Sequence, residues 1–178
     1  ETYLRKQGWS PSKITMVANG VVTPGPLADR DDPSSDWVIG SVALFRPRKG
    51  LEVLIQALSH LRQMRLSMRL RAVGSFETLE YENAMKRMAE QLGVSDIIDW
   101  VGFVQEVDRE FPKMDILVLP SLFGEGMPMV ILEAMATGVP VIASNVEGIP
   151  EVLEHGQTGL VVPPGDAKQL AVVLADLM

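Results

Sequence analysis

The sequence predicts an α/β domain built on a parallel β-sheet covered on both faces. Two observations carry that expectation. Short β-branched and aliphatic runs alternate along the chain with segments whose apolar residues recur at helical spacing. The strand-like runs, residues 37–44 and 116–119 among them, are nearly continuous in apolar residues, as strands buried on both faces must be. Together they describe a Rossmann-like doubly wound sheet.

Taken in order, residues 14–17 form a first candidate strand, followed by an Asn19-Gly20 turn and a Pro-, Gly- and Asp-rich loop over 21–36. A strand over 37–44 leads to a helix over 50–63, whose Leu51, Leu54, Ile55, Leu58 and Leu61 share one face. A strand over 69–73 ends at Gly74, and a polar-faced helix over 77–92 stops at Gly93. Further strands are expected at 97–101, 116–119, 139–143 and 159–162, with helical pieces at 105–111, 128–137 and 149–154 and a last helix capped by Asp166. In such sheets ligands sit at the carboxyl ends of the strands. The loops to watch are therefore 18–36, 45–50, 74–77, 102–105, 120–128 and 144–149.

The 178 residues fit one domain, 1–178, with no repeat or linker to divide it. The opening TYLRKQGW reads as the tail of a helix ended by Gly8, so an upstream partner domain is expected. A net charge of −7 speaks against a nucleic-acid partner but not against one small anion held by local positive charge. The absence of cysteine excludes disulfides, thiolate zinc sites and a cysteine nucleophile. His60 and His155 lie far apart, so no metal site and no cofactor are expected. No apolar run approaches the roughly 20 residues that span a bilayer, and no signal peptide is expected, so a cytoplasmic setting is the default expectation.

The chemistry concentrates between Pro120 and Gly138. Pro128 suits the first turn of a helix, and the N–H groups from Met127 to Val130 would face the preceding loop, where they attract anions, phosphate especially. Gly124 and Gly126 allow a sharp turn and a close ligand approach. Glu133 stands in a helix that is apolar on every side, the pattern of a buried helix. A buried carboxylate needs a partner: a backbone amide, a distant arginine, or the hydroxyls of a ligand. Glu125, eight residues earlier, reads on its own as a solvated loop charge. Phe45-Arg46-Pro47-Arg48-Lys49-Gly50 places three cations at a strand's carboxyl end, which suits either a solvated turn or a diphosphate.

Glu125-x7-Glu133, continued by Ala134-Met135-Ala136-x-Gly138-x-Pro140-Val141-Ile142-Ala143-Ser144, resembles the E-x7-E signature of retaining GT-B glycosyltransferases, family 4 above all. The resemblance runs over about residues 14–178 and concerns the C-terminal, donor-binding half of that fold. It implies transfer of a sugar from a UDP-, GDP- or ADP-sugar to an acceptor hydroxyl, without a metal. By the same resemblance Glu133 holds the ribose hydroxyls, Glu125 meets the sugar and the reacting end, and Gly126, Met127, Pro128, Met129 and Val130 hold the diphosphate. Lys49 matches the lysine of the family's phosphate clamp. The clamp's arginine falls where this chain has Leu44, so Arg46, or else Arg48, takes its place. Gly102 and Phe103, like Gly74-Ser75, end strands where the family seats the base, while Gly148, Ile149 and Glu151 begin a helix that could line the sugar pocket. The acceptor domain, and any membrane association, would lie in the missing N-terminal part. Two other readings stand beside this one: a nucleotide-sugar epimerase of related fold, which needs further acid–base groups, and a non-catalytic module that binds a nucleotide or a partner.

Overall fold

The run Ile116–Leu119 shows how the sheet is made. All four residues are buried, Ile116 and Val118 in one hydrophobic cluster and Leu117 and Leu119 in another. Successive strand side chains point to opposite faces, so a strand apolar at every position has to be covered on both. The structure, a computed structural model, describes residues 6–8, 10, 12, 19–22 and 36–178. Among these, six strands form one sheet: β1 (Trp37–Val42), β2 (Met68–Val73), β3 (Ile98–Gly102), β4 (Ile116–Leu119), β5 (Val141–Ser144) and β6 (Leu160–Val162). All pairs are parallel, in the order β3-β2-β1-β4-β5-β6.

One cluster gathers the buried faces of α1 (Leu51–Gln63), α2 (Leu79–Gln91) and α4 (Ala167–Leu177). The predicted stripe of α1, from Leu51 to Leu61, is wholly buried there. Across the sheet, α3 (Met129–Ala136) packs with Phe111, Met114, Ile149 and Leu153. Local chemistry sets the helix starts. Thr78 accepts from Tyr81 N at 3.2 Å before α2, and Asp166 accepts from Gln169 N at 2.9 Å before α4. The doubly wound parallel sheet is thus as the sequence predicts.

Several boundaries differ. The strand expected over 37–44 stops at Val42. The chain bends at Ala43–Leu44 and pairs again only at Phe45, opposite Phe76. The helices expected over 105–111 and 149–154 are short 3-10 turns, Val107–Arg109 and Phe111–Lys113 in the first case and Ile149–Glu151 in the second. Pro112 lacks the N–H that would continue a helix begun at Val107, Pro150 stands in a first turn where none is needed, and runs this short close i→i+3 bonds. Pro128 caps α3 from outside, with φ −72 and ψ 115, rather than standing in its first turn. Asn19 to Val22 are irregular and form no turn. The strand expected over 14–17 and most of the loop over 21–36 lie outside the described residues.

A charged cluster ties β2 and β3 to the crossover that follows. Arg71 donates to Glu110 Oε2 at 2.8 Å and to Asp99 Oδ2 at 2.6 Å, while Lys113 donates to Glu110 Oε1 at 2.7 Å. Burial alone would raise the Glu110 carboxyl. The hydrogen bonds from Lys113 and Arg71, with their charges, outweigh it and hold the carboxyl below the usual carboxylate range. A lowered folded-state value means that this stabilisation is complete above the ordinary carboxylate range and is lost as pH falls through the lower, folded value. Glu110→Ala is expected to cost about 2–4 kcal/mol at neutral pH, because Arg71 loses its main partner in a half-buried place. Urea unfolding should show the gap between wild type and variant narrowing in acid; a gap independent of pH would show that the pair does not stabilise the fold.

Strand order reverses between β1 and β4: from β1 the chain winds outward to β2 and β3, from β4 the opposite way to β5 and β6. Open α/β sheets place their ligand crevice at this switch point, outside the carboxyl ends of the strands. Here the two loops that border it are 43–50 and 120–128.

Candidate functional site

The loop after β1 is held from both sides. Phe45 N donates to Ser75 O at 2.8 Å, Glu77 N donates to Phe45 O at 2.9 Å, and the Phe45 and Phe76 rings lie 5.2 Å apart. Pro47–Lys49 then make a 3-10 turn, ended by Gly50 in the left-handed region at φ 66. Gly50 is also pressed against the other loop: a Cβ there would lie 2.0 Å from Pro120 O. Leu122 N donates to Arg48 O at 2.8 Å. The two loops of the switch point are therefore stitched backbone to backbone.

This stitching buries Glu125, which is 6% exposed and so not the solvated loop charge that it resembles in isolation. Its Oε1 accepts from Lys49 Nζ at 2.5 Å and from Ser121 Oγ at 2.5 Å. Arg48 Nη1 lies 3.6 Å from the same oxygen and donates to Gly124 O at 2.7 Å. Arg46 points elsewhere, donating to Glu77 at 3.1 Å. Its Nε is buried without a hydrogen-bond partner among the described residues. Of the two arginines that the sequence leaves open, Arg48 is the one beside Glu125.

The helix that carries Glu133 is not enclosed. Only Ile131 and Ala134 are buried, Met129 is exposed, and Val130, Leu132, Met135 and Ala136 are half-buried. The expectation of burial on every side is corrected here. An eight-residue helix at the rim packs one face on the sheet and leaves the rest open, however apolar its sequence. Glu133 itself is half-buried, and its carboxylate has no hydrogen bond or ion pair among the described residues. Burial pushes its carboxyl above the usual range, and the charge of Asp108 adds to this. The sign is opposite to that of Glu110: the folded state holds the proton more tightly, so stability falls as pH rises from the ordinary value toward the raised one. Glu133→Gln is therefore expected to be more stable than wild type at neutral pH, with the gain vanishing in acid. Thermal unfolding at both pH values checks this; a less stable variant at neutral pH would mean that the carboxylate has a stabilising partner.

The remaining predicted residues line the same rim. Met129 and Val130 fill the first turn of α3, where amides have no carbonyl four residues back. Gly126 follows Glu125, and Met127 Sδ accepts from Asn19 N at 3.3 Å. Gly102, at φ 78, ends β3 and accepts from Gly74 N at 2.8 Å, and Phe103 beyond it is 74% exposed. At about 4.8 Å per strand, that rim stands roughly 10 Å from β1, within reach of one extended ligand. Gly148 N donates to Glu125 O at 3.0 Å, which brings the loop after β5 onto Glu125. His155 Nδ1 accepts from Val161 N at 3.0 Å, a structural use away from this rim.

Glu147 is a neighbour that the sequence did not single out. Its Oε2 accepts from Gly124 N at 2.9 Å and from Glu125 N at 3.3 Å. A lone charged residue in a loop gives no sign of such a contact. Among the described residues, no group of three or more His, Asp or Glu side chains is gathered as for a metal ion.

A doubly wound parallel sheet with a lysine–glutamate pair and a helix start at its switch point defines a Rossmann-like domain suited to a phosphorylated ligand. The chain matches the family described as "Glycosyl transferases group 1" over residues 28–178, and it belongs to that family. It is 37% identical over 96% of its length to the amylovoran biosynthesis glycosyltransferase AmsK of Erwinia amylovora, of which it covers 43%. It is 34% identical over 74% of its length to a GDP-mannose-dependent alpha-(1-6)-phosphatidylinositol monomannoside mannosyltransferase of Mycobacterium tuberculosis, covering 36% of that protein. Among solved structures, Anabaena HepE in complex with UDP-glucose superimposes with a TM-score of 0.75 and 27% identity, over 79% of this chain and 38% of HepE. The fold is thus a GT-B half-domain, and the chain spans less than half the length of the curated relatives it matches.

Proposed function

We propose that this chain is the donor-binding part of a glycosyltransferase that moves a sugar from a nucleoside-diphosphate sugar to an acceptor hydroxyl, with retention at the anomeric carbon. The observation that carries the proposal is the Lys49–Glu125 pair at the switch point, a cation and a carboxylate brought together from positions 76 residues apart. Lys49, with Arg48 beside it, takes the charge that develops on the diphosphate as its bond to the anomeric carbon breaks. The amides of Met127, Met129 and Val130 and the backbone at Gly126 and Pro128 cradle the phosphates. Such preset charges and dipoles aimed at the leaving group are a strong form of transition-state stabilisation. Glu125 meets the sugar hydroxyls, and Glu133, an acceptor without a partner of its own among the described residues, receives the ribose hydroxyls. Gly102 and Phe103 seat the base. The UDP-glucose bound by HepE and the GDP-mannose dependence of the mycobacterial relative support a nucleoside-diphosphate donor. The acceptor is held by an N-terminal domain of the whole protein, through which any membrane contact is made, and the cytoplasm is the expected setting.

The test is calorimetric titration of the chain with UDP, GDP and ADP, with and without EDTA. One nucleotide should bind, EDTA should not change its affinity, and Glu133→Ala should abolish binding. No binding of any of the three, by the chain or by the whole protein, would overturn the reading.

A further inference from the structure

Glu147 has φ 22, in the left-handed half of conformational space that a residue with a Cβ enters only when its surroundings hold it there. What holds it is the loop opposite. One carboxylate oxygen accepts from two consecutive amides, Gly124 N at 2.9 Å and Glu125 N at 3.3 Å. The next residue adds a third bond, Gly148 N to Glu125 O at 3.0 Å. Arg48 takes the last free group of that segment, Gly124 O, at 2.7 Å. Every backbone donor and acceptor of Gly124 and Glu125 is therefore engaged by a neighbouring loop. The backbone of Glu125 is thereby fixed, and its side chain lies toward Lys49 and Ser121.

Consecutive N–H groups in a turn form a concavity for an anion. In this protein the anion is supplied from within, by a residue held in a strained conformation to do so. Glu147 is itself exposed, so burial of its side chain does not account for the arrangement.

We propose that Glu147 is the positioning residue for Glu125: its carboxylate clamps the Gly124–Glu125 turn and so aims the Glu125 carboxylate at the sugar of the donor. This rests on the donor-binding reading above. It separates two parts of donor affinity. The nucleotide is held by Lys49 and α3, to which Glu147 makes no hydrogen bond or ion pair among the described residues; the added affinity of a nucleotide sugar over its nucleotide depends on Glu125, which Glu147 aims.

Glu147→Gly removes the clamp and also relieves the positive φ, which offsets part of the lost hydrogen bonding, so the variant is expected to stay folded, as urea unfolding checks. Glu147→Gln keeps an acceptor oxygen and serves as the conservative rescue. The chain is titrated with UDP, GDP and ADP and with UDP-glucose, GDP-mannose and ADP-glucose, and amide hydrogen exchange is followed at Gly124 and Glu125. In Glu147→Gly, exchange at the two amides should quicken about tenfold, nucleotide affinity should stay as in wild type, and the sugar's added affinity should fall about tenfold, as for loss of a hydrogen bond to a charged group. Glu147→Gln should restore most of both. Unchanged exchange, or quickened exchange with the sugar increment intact, overturns the positioning role and leaves the donor reading standing. A wild type that binds none of the six ligands, as the chain or as the whole protein, overturns both.

Discussion

Replacing Gly148 with alanine is expected to lower sugar transfer by the whole protein about 100-fold while leaving the fold intact, because an error near 1 Å in the placement of reacting groups has effects of that order. The backbone conformation of Gly148 is ordinary, at φ −77 and ψ −3, so conformation does not demand glycine there. Space does. A Cβ would lie 1.5 Å from Gly126 O, 2.5 Å from Gly126 C and 3.2 Å from Glu125 O. These are backbone atoms, and no rotamer change removes them. The loops after β4 and β5 would have to part by roughly 2 Å to reach ordinary contact. That movement breaks the Gly148–Glu125 bond and pulls the Glu147 clamp away from its amides. Val146 and Ile149 on either side are buried in the core, so the strand and the turn are anchored, and the displacement falls on Glu125. Gly126→Ala is the matching control, since nothing lies within 4 Å of its added Cβ in the protein alone. Any loss of nucleotide affinity in that variant reports a ligand at that point. Transfer by Gly148→Ala within a few-fold of wild type would show that the loop contact does not govern the chemistry.

The sheet was legible because parallel strands covered on both faces leave a local trace: Ile116–Leu119 can hardly be anything else. The site was legible only where a short segment contains it whole, as with the glycines and Pro128 before α3. Lys49 and Glu125 are each readable as candidates, but their meeting is a property of strand order, which places β1 beside β4. The choice between Arg46 and Arg48 shows the limit. Both sit in one basic run, yet Arg46 is extended, at φ −156, whereas the turn begun by Pro47 carries Arg48 to the other side. One guanidinium therefore finds Glu77 and the other approaches Glu125. For Glu133 the sequence told that its helix is apolar, but not which side the sheet would cover. Glu147 could not be read at all, since its importance lies in two amides more than twenty residues away.

Lys49→Ala is expected to act twice, and the two effects can be pulled apart. Lys49 is 15% exposed at the side chain and Glu125 5%. Removing the lysine leaves a buried carboxylate with Ser121 and an arginine at 3.6 Å. Stripping one partner from a buried ion pair is strongly destabilising, and with Arg48 still near, the cost should be about 3 kcal/mol, read as an earlier urea midpoint. Nucleotide affinity should fall as well, by about 100-fold for the loss of a charge-assisted contact to phosphate. The double variant Lys49→Ala/Glu125→Gln removes both charges at once. If the stability loss comes from the unpaired carboxylate, the double variant should regain most of it, since coupled partners are not additive. Nucleotide affinity should not return, because no cation has been restored to the phosphate. Lys49→Arg should not recover it fully either: a guanidinium is a broad planar fork and the ammonium a compact point charge seated between two close loops. Equal nucleotide affinity in Lys49→Ala and wild type would remove Lys49 from the phosphate site and leave it a purely structural partner of Glu125.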